Sequence, residues 1–159
     1  MRDAIIKCSI ESLQKNGLRF SIDEVAKSLG ISKKTIYKYF ATKEELAVEI
    51  YKTYYKNAKQ VLADIEGLHT KDAVKKMLAI YYQSHCMNRG GIFNKYALNA
   101  NIRALAQTNH NLIKMYVENF LPEADKVPLM ILIDGALQNL CERKDEEKKV
   151  IEILSGLLC

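Results

Sequence analysis

The sequence predicts an all-α protein: an N-terminal three-helix domain of the helix-turn-helix kind, followed by a C-terminal helical domain. Three observations carry that expectation. Two prolines and seven glycines in 159 residues leave few points at which a helix must break. Apolar residues, 48% of the chain, recur at spacings of three and four along much of its length, the period of a helix with one buried face. Residues 20–46, FSIDEVAKSLGISKKTIYKYFATKEEL, read as two short helices joined by a tight turn and the opening of a third.

Taken in order, residues 2–16 form the first helix, with Ile6, Ile10 and Leu13 on one face, Ile5 and Cys8 widening it, and Asn16-Gly17 as the stop. Ser21-Ile-Asp-Glu24 is a capping box, in which the Ser hydroxyl accepts from the third backbone N–H of the helix. Ile22, Val25, Ala26 and Leu29 give that second helix (22–29) a buried face, and Gly30 ends it where a positive φ is easiest to adopt. Ser32 caps the third helix (33–39). On that helix only Ile36 and Phe40 form an apolar i, i+4 pair, which leaves Lys33, Lys34, Thr35, Tyr37, Lys38 and Tyr39 pointing elsewhere. Thr42-Lys-Glu-Glu45 is a second capping box and opens a long helix from Lys43 to about residue 65, with Gly67 behind it. Leu46, Ala47, Ile50, Tyr54, Ala58, Val61 and Ile65 line one face of it. Tyr51, Tyr54 and Tyr55 are read as aromatic packing in preference to ligand contact.

The composition changes from basic to balanced between residues 60 and 70. Residues 1–59 hold twelve Lys/Arg against seven Asp/Glu, whereas residues 60–159 hold twelve of each, so the whole formal charge of +5 sits in the first segment. A charge excess confined to one small domain is the footprint of a polyanion partner. Thr70 is the expected cap of the next helix, which carries Ala73, Met77, Ile80, Tyr81 and Ser84 on one face and ends near Asn88, where Arg89-Gly90-Gly91 breaks it. Residues 92–107 and about 110–120 are expected as two further helices, the second closed by Leu121-Pro122. Pro128 fits the first turn of a helix through VPLMILIDGALQNLC that is apolar on nearly every side, so it is either buried all round or faces another chain. Gly135 beside Ala136 is expected to allow a close backbone approach, and Asp134 to sit at a rim or make a specifying hydrogen bond. The charged run 142–149 starts a last helix with Val150, Ile153, Leu154, Leu157 and Leu158 at i, i+3, i+4, i+7 and i+8.

Several chemistries find no support. There is no Ser/His/Asp, Cys/His or carboxylate-pair constellation and no Gly-rich phosphate loop, so no catalytic residue is assigned and no enzyme is expected. Cys8, Cys86, Cys141 and Cys159 have no metal-like spacing, and His85 beside Cys86 points to a different helix face; neither metal nor cofactor is expected. The four thiols are read as reduced, mostly buried apolar groups rather than redox sensors, Cys159 being the exposed one. His69 and His110 are placed near helix ends without a partner. The opening MRDAIIKCSIESLQ lacks the apolar core of a signal peptide, and no run of 18 apolar residues offers a membrane span, which leads to a cytoplasmic, nucleoid-associated expectation.

The order Ser-Ile-x-x-Val-Ala-x-x-Leu-Gly-Ile-Ser-x-x-x-Ile-Tyr-x-Tyr-Phe-x-x-Lys-x-x-Leu resembles the DNA-binding domain of the tetracycline-repressor (TetR/AcrR) family over roughly the first third of the chain. The resemblance implies a helix-turn-helix head over residues 1–46, a connecting helix over 47–66 whose tilt sets the separation of two reading heads, and a ligand-binding and dimerisation domain over 67–159. It implies a DNA interface of Ser21, Ser32, Lys33, Lys34, Thr35, Tyr37, Lys38, Tyr39 and Lys43. Lys33, Lys34 and Thr35 are then expected at base edges, with Tyr37, Tyr39 and Lys43 on phosphates. Two consecutive lysines specify less than a Gln or Asn, so one of them is open to a phosphate role instead. With the first helix starting beside Met1, no basic arm is expected in the minor groove.

An effector is expected among the middle helices, lined by Met77, Tyr81, His85, Phe93, Tyr96, Met115, Tyr116 and Phe120, an apolar and aromatic set with a few polar handles. A homodimer is expected through Leu129, Leu132, Ile133, Ala136, Leu137, Leu140, Val150, Ile153, Leu154 and Leu157 of the last two helices, packed as a four-helix bundle with the same pair from a second copy. The resulting function is a regulator, in the first instance a repressor released from a pseudo-palindromic operator in double-stranded DNA by a small apolar or aromatic ligand. The alternative is a co-regulator or adaptor of the same fold that is controlled by a protein partner.

Overall fold

The computed structural model describes residues 1–16, 21–88 and 100–159, and among these it is helical with no strand. The elements are α1 (Arg2–Asn16), α2 (Ile22–Ser28), α3 (Lys33–Tyr39), α4 (Lys43–Asp64), α5 (Lys71–Asn88), α6 (Ala100–Phe120), α7 (Lys126–Leu140) and α8 (Glu147–Leu158). Single 3-10 turns at Glu123–Asp125 and Lys144–Glu146 lead into α7 and α8. The chain divides into two compact units, and the division falls within α4, after Asn57, and again within α6, after Ala106, so that the start of α6 belongs to the first unit.

The first unit is built on α1, α2, α3 and the start of α4. Its core is Ile5, Ile6 and Leu13 of α1, Ile22, Val25 and Ala26 of α2, Ile36 and Phe40 around α3, and Leu46, Ala47 and Ile50 of α4, all buried. Local chemistry sets each boundary. Ser21 Oγ accepts from the Glu24 N–H at 3.2 Å and Ser32 Oγ from the Thr35 N–H at 3.1 Å, satisfying donors that the first turn leaves free. The turn after α2 is a Schellman closure: Ile31 N–H reaches Ala26 C=O at 3.0 Å, Gly30 N–H reaches Lys27 C=O at 3.2 Å, and Gly30 takes φ +65. At α4, Thr42 Oγ1 accepts from the Glu45 N–H at 3.0 Å, while the Glu45 carboxylate reaches back to the Ala41 N–H at 2.8 Å.

In the second unit α5 packs against α7 and α8, and α7 against α8. Thr70 caps α5 through the Ala73 N–H at 3.3 Å, and Gly67 before it takes φ +75. Met77, Leu78, Tyr81 and Tyr82 of α5, Ile113 and Val117 of α6, Met130, Ile133, Leu137 and Leu140 of α7, and Ile151 and Leu154 of α8 are buried. Lys71 and Lys75 of α5 both pair with Glu152 of α8 across the surface of this unit.

The structure departs from the sequence reading at three points, and some expectations fall outside the described residues. The two helices expected over 92–107 and 110–120 are continuous from Ala100 as α6, because no Gly or Pro interrupts residues 100–120 and Asn109 and His110 are buried helical residues. The expected break at 89–91, the stretch 92–99 and Gly17 lie outside the described residues. The last helix begins within the charged run 142–149 rather than at its start: a 3-10 turn intervenes and α8 starts at Glu147. Gly135 makes no close approach to another described residue, since a Cβ there would meet none of their atoms within 4 Å.

Candidate nucleic-acid interface

Helix α3 is held from beneath and left free above. Ile36 is fully buried and Phe40, its cap, equally so, which fixes the helix through two side chains at i, i+4. Arg2 of α1 lies over the Phe40 ring at 4.8 Å and pairs with Glu49 of α4 at 3.3 Å, so that α1 and α4 clamp the corner where α3 ends. Lys33, Lys34 and Lys38 are exposed, as are Tyr37 and Tyr39 at 37% and 41%. Aromatic rings of that exposure beside three ammonium groups present donors, stacking faces and positive charge on one seven-residue helix.

Each side chain expected at DNA has a definite place. Ser21 and Ser32 are spent as N-caps, half-buried and exposed respectively. Thr35 is half-buried, its hydroxyl 2.9 Å from Ser32 Oγ. Lys43 is the exposed first residue of α4, at a helix N-terminus where backbone N–H groups favour an anion. Lys33 differs from its neighbours, because its ammonium pairs with the Asp23 carboxylate of α2 at 2.6 Å. Asp23 did not figure in the sequence reading. Its signal was an acidic residue in the first turn of α2, which reads there as ordinary helix-dipole complementation.

The candidate effector residues are distributed unevenly. Met77, Tyr81 and His85 are buried in the second unit, Tyr116 and Phe120 are half-buried, and Phe93 and Tyr96 lie outside the described residues. Met115 is 56% exposed, on the outward side of α6, and is not part of a buried lining. Tyr116 donates to Leu62 C=O at 2.8 Å, and the Phe120 ring lies tilted against His69 at 4.8 Å. Around Tyr81 the structure builds a polar cluster that periodicity did not reveal. Tyr81 donates to Asp134 at 2.5 Å, Lys114 pairs with the same carboxylate at 3.3 Å, and His85 Nε2 stands 3.5 Å from it. His110, expected near a helix end without a partner, is instead buried within α6, 2.9 Å from Ser84 Oγ and stacked on Tyr81 at 5.5 Å. Burial, with His85 adding to it, lowers the His110 pKa to about 4; burial and the bond to Asp134 push the Tyr81 phenol well above its usual range.

Of the ten residues expected at a dimer interface, Ile133, Leu137, Leu140 and Leu154 are buried within the chain itself and are spent on its own core. Leu129, Ala136 and Val150 are half-buried, and Leu132, Ile153 and Leu157 are exposed. The outward apolar set also includes Val127 and Ile131, at 68% and 67%, one turn apart on α7.

Residues 5–50 match the family described as "Bacterial regulatory proteins, tetR family", whose members are DNA-binding regulators rather than enzymes. The matched segment runs from the buried Ile5 of α1 to the buried Ile50 of α4 and so contains the whole of the capped α2–turn–α3 unit. The chain is 28% identical over 98 residues to YvaF of Bacillus subtilis (strain 168), an uncharacterized HTH-type transcriptional regulator, a match that covers 60% of this chain and 52% of that one. Over 49 residues it is 33% identical to uncharacterized HTH-type transcriptional regulators from two strains of Mycobacterium tuberculosis, covering 31% of this chain and 21% of theirs. The chain thus spans about half the length of the Bacillus relative it matches. No helix among the described residues is long and apolar enough to cross a membrane.

Proposed function

We propose, from the match of residues 5–50 to the tetR family of bacterial regulatory proteins, that the chain is a homodimeric repressor of transcription that reads a pseudo-palindromic operator. Residues 1–46 form the head, 47–66 connect it, and 67–159 bind a small apolar or aromatic effector and a second copy of the chain. It works in the cytoplasm, at the nucleoid. The observation that carries this reading is α3: a short helix anchored by Ile36 and Phe40, with every other side chain but Thr35 exposed and three of those cationic. A helix of that width enters the major groove, where Lys34 and Thr35 meet base edges and Tyr37, Tyr39 and Lys43 take phosphates. Lys33, already paired with Asp23, reaches DNA only by exchanging that carboxylate for a base or a phosphate. The exposed Val127, Ile131, Leu132, Ile153 and Leu157 supply the apolar surface for the second copy.

A second reading has one observation in its favour. Tyr81 and Lys114 both bond the Asp134 carboxylate inside the second unit, with His85 Nε2 3.5 Å from it, so Tyr81, expected to receive an effector, is already engaged in the unit's own polar cluster. A regulator of the same fold controlled by a protein partner, acting as co-regulator or adaptor, needs no ligand there.

Selection of bound duplexes from a random-sequence pool at about 150 mM salt, where sequence-blind phosphate contacts weaken, tests the first reading. The expected product is a palindrome whose half-sites lie one helical turn, about 34–36 Å, or a multiple of it apart. Recovery of salt-sensitive binding without sequence would remove the operator reading and favour the adaptor.

A further inference from the structure

Two of the four cysteines, 55 residues apart in sequence, meet in the second unit: Cys86 Sγ on the last turns of α5 stands 2.8 Å from Cys141 Sγ, the residue that closes α7. Both are half-buried, reduced thiols, and a disulfide between them needs less than an ångström of sulfur movement to reach the bond length of about 2.05 Å. Cys8 and Cys159 have no such neighbour in sequence or among the contacts of the described residues, Cys159 being exposed at the end of α8. The sequence reading preferred reduced, mostly buried apolar groups to a redox role for Cys86 or Cys141, since no CxxC spacing joins them; α5 and α7 join them by packing.

We propose that Cys86 and Cys141 are an oxidative modification site, a dithiol that closes to an intrachain disulfide by exchange with small-molecule disulfides. The thiolate of one cysteine attacks a sulfur of the disulfide R–S–S–R, forming a mixed disulfide and expelling one R–S⁻, which takes up a proton. The second protein sulfur, losing its own proton, attacks the protein sulfur of that mixed disulfide and expels the other R–S⁻. Two protein thiols have then given up two electrons and two protons, and two R–SH have formed. Because the partner sulfur is already in place, the mixed disulfide is short-lived.

The surroundings set the rate. Pairing with Cys141 and burial hold the Cys86 proton well above the ordinary thiol range, while Tyr82 and Lys144 pull it the other way. Attack needs the thiolate, so the site responds slowly, to a sustained oxidising poise rather than to a brief pulse. The consequence is mechanical: the bond ties the C-terminal end of α7 to α5 and closes a loop of the intervening chain. The site stands on this geometry alone and does not draw on the proposed operator reading.

The test is incubation of the full-length protein with oxidised glutathione, then with dithiothreitol, followed by intact mass, alkylation of remaining thiols and peptide mapping. The expected result is a loss of about 2 Da with no retained glutathione, a Cys86–Cys141 linked peptide, and full reversal by the reductant. The thermal midpoint of the oxidised protein should rise by roughly 5–10 °C. Cys86→Ser and Cys141→Ser should each abolish the mass loss and retain a glutathione adduct on the remaining thiol. If either variant fails to fold, the wild-type mapping decides alone. Cys86 and Cys141 remaining alkylatable under oxidation, or crosslinking confined to Cys159 between chains, would overturn the proposal.

Discussion

The Lys33 ammonium sits 2.6 Å from the Asp23 carboxylate, so one of the three cations on α3 arrives at any polyanion already half-neutralised. An exposed pair of this kind contributes little to stability, so on the proposed interface its effect belongs to recognition. Thr35, by contrast, presents a hydroxyl whose partner is another hydroxyl, Ser32, and which can turn to a base edge without leaving a charge unpaired. On the proposed interface, Thr35→Ala relaxes preference at one base pair of each half-site by roughly five- to tenfold, while affinity for unrelated duplexes stays constant. Tyr37→Phe weakens binding to all duplexes alike, because it removes a phosphate donor; titrations against cognate and scrambled duplexes separate the two. A specificity change from Tyr37→Phe with no general loss would reverse these roles.

His110 gives the residue scale a pH dependence. Its folded pKa of about 4 lies below the ordinary 6.5, so the unfolded chain binds the extra proton between those values and stability rises with pH across that window. The contribution is complete above about pH 6.5 and is lost as pH falls toward 4, on the order of 2–3 kcal/mol. Urea unfolding of the wild type and of His110→Gln at pH 7.5 and 5 should show a steeper acid loss in the wild type. Equal losses in both would place the acid sensitivity elsewhere in the Tyr81–His85–Asp134–Lys114 cluster.

Among the elements, the link between α2 and α3 depends on one backbone conformation. Gly30 at φ +65 allows Ile31 N–H to close on Ala26 C=O, which turns the chain so that Ser32 can cap α3. A Cβ at Gly30 would meet nothing within 4 Å, so the cost of Gly30→Ala is conformational rather than steric, about 1–2 kcal/mol. Thermal unfolding should show that loss; a midpoint unchanged within error would mean that the turn relaxes to another geometry. The capping boxes at Ser21 and Thr42 were legible in sequence because each acts within four residues. Continuity of α6 was not. Its Asn-rich start and the Thr108–Asn111 stretch look like loop chemistry, yet Asn109 and His110 are buried there, and tertiary burial outweighs the weak local preference of Asn for caps and turns.

For the whole molecule, the decisive feature is that α7 and α8 carry more apolar surface than one chain buries. Val127, Ile131, Leu132, Ile153 and Leu157 remain 57–68% exposed after Ile133, Leu137, Leu140 and Leu154 have filled the core of the second unit. Covering that surface with a second copy is the proposed reason for dimerisation, and Gly135, open on α7, leaves room for a close helix approach. Sedimentation should give twice the 18.2 kDa chain mass for the wild type and a monomer for the double variant Ile131→Glu, Leu157→Glu. A monomeric wild type would remove the paired-head reading, and a double variant that stays dimeric would place the interface elsewhere.

By itself the sequence determined the all-α class, the extent of the capped helix-turn-helix and its match to a tetR-family model over residues 5–50, and the concentration of charge in the first 59 residues. These are properties of local spacing and composition, and they survive whatever the rest of the chain does. Only the tertiary structure decided which face of α7 is spent on the core, that Asp134 serves Tyr81 and Lys114 together, that Lys33 is paired with Asp23, and that Cys86 stands against Cys141. Each of those depends on which helices pack and at what rotation, and a helix that is apolar nearly all round offers no periodicity from which to read it.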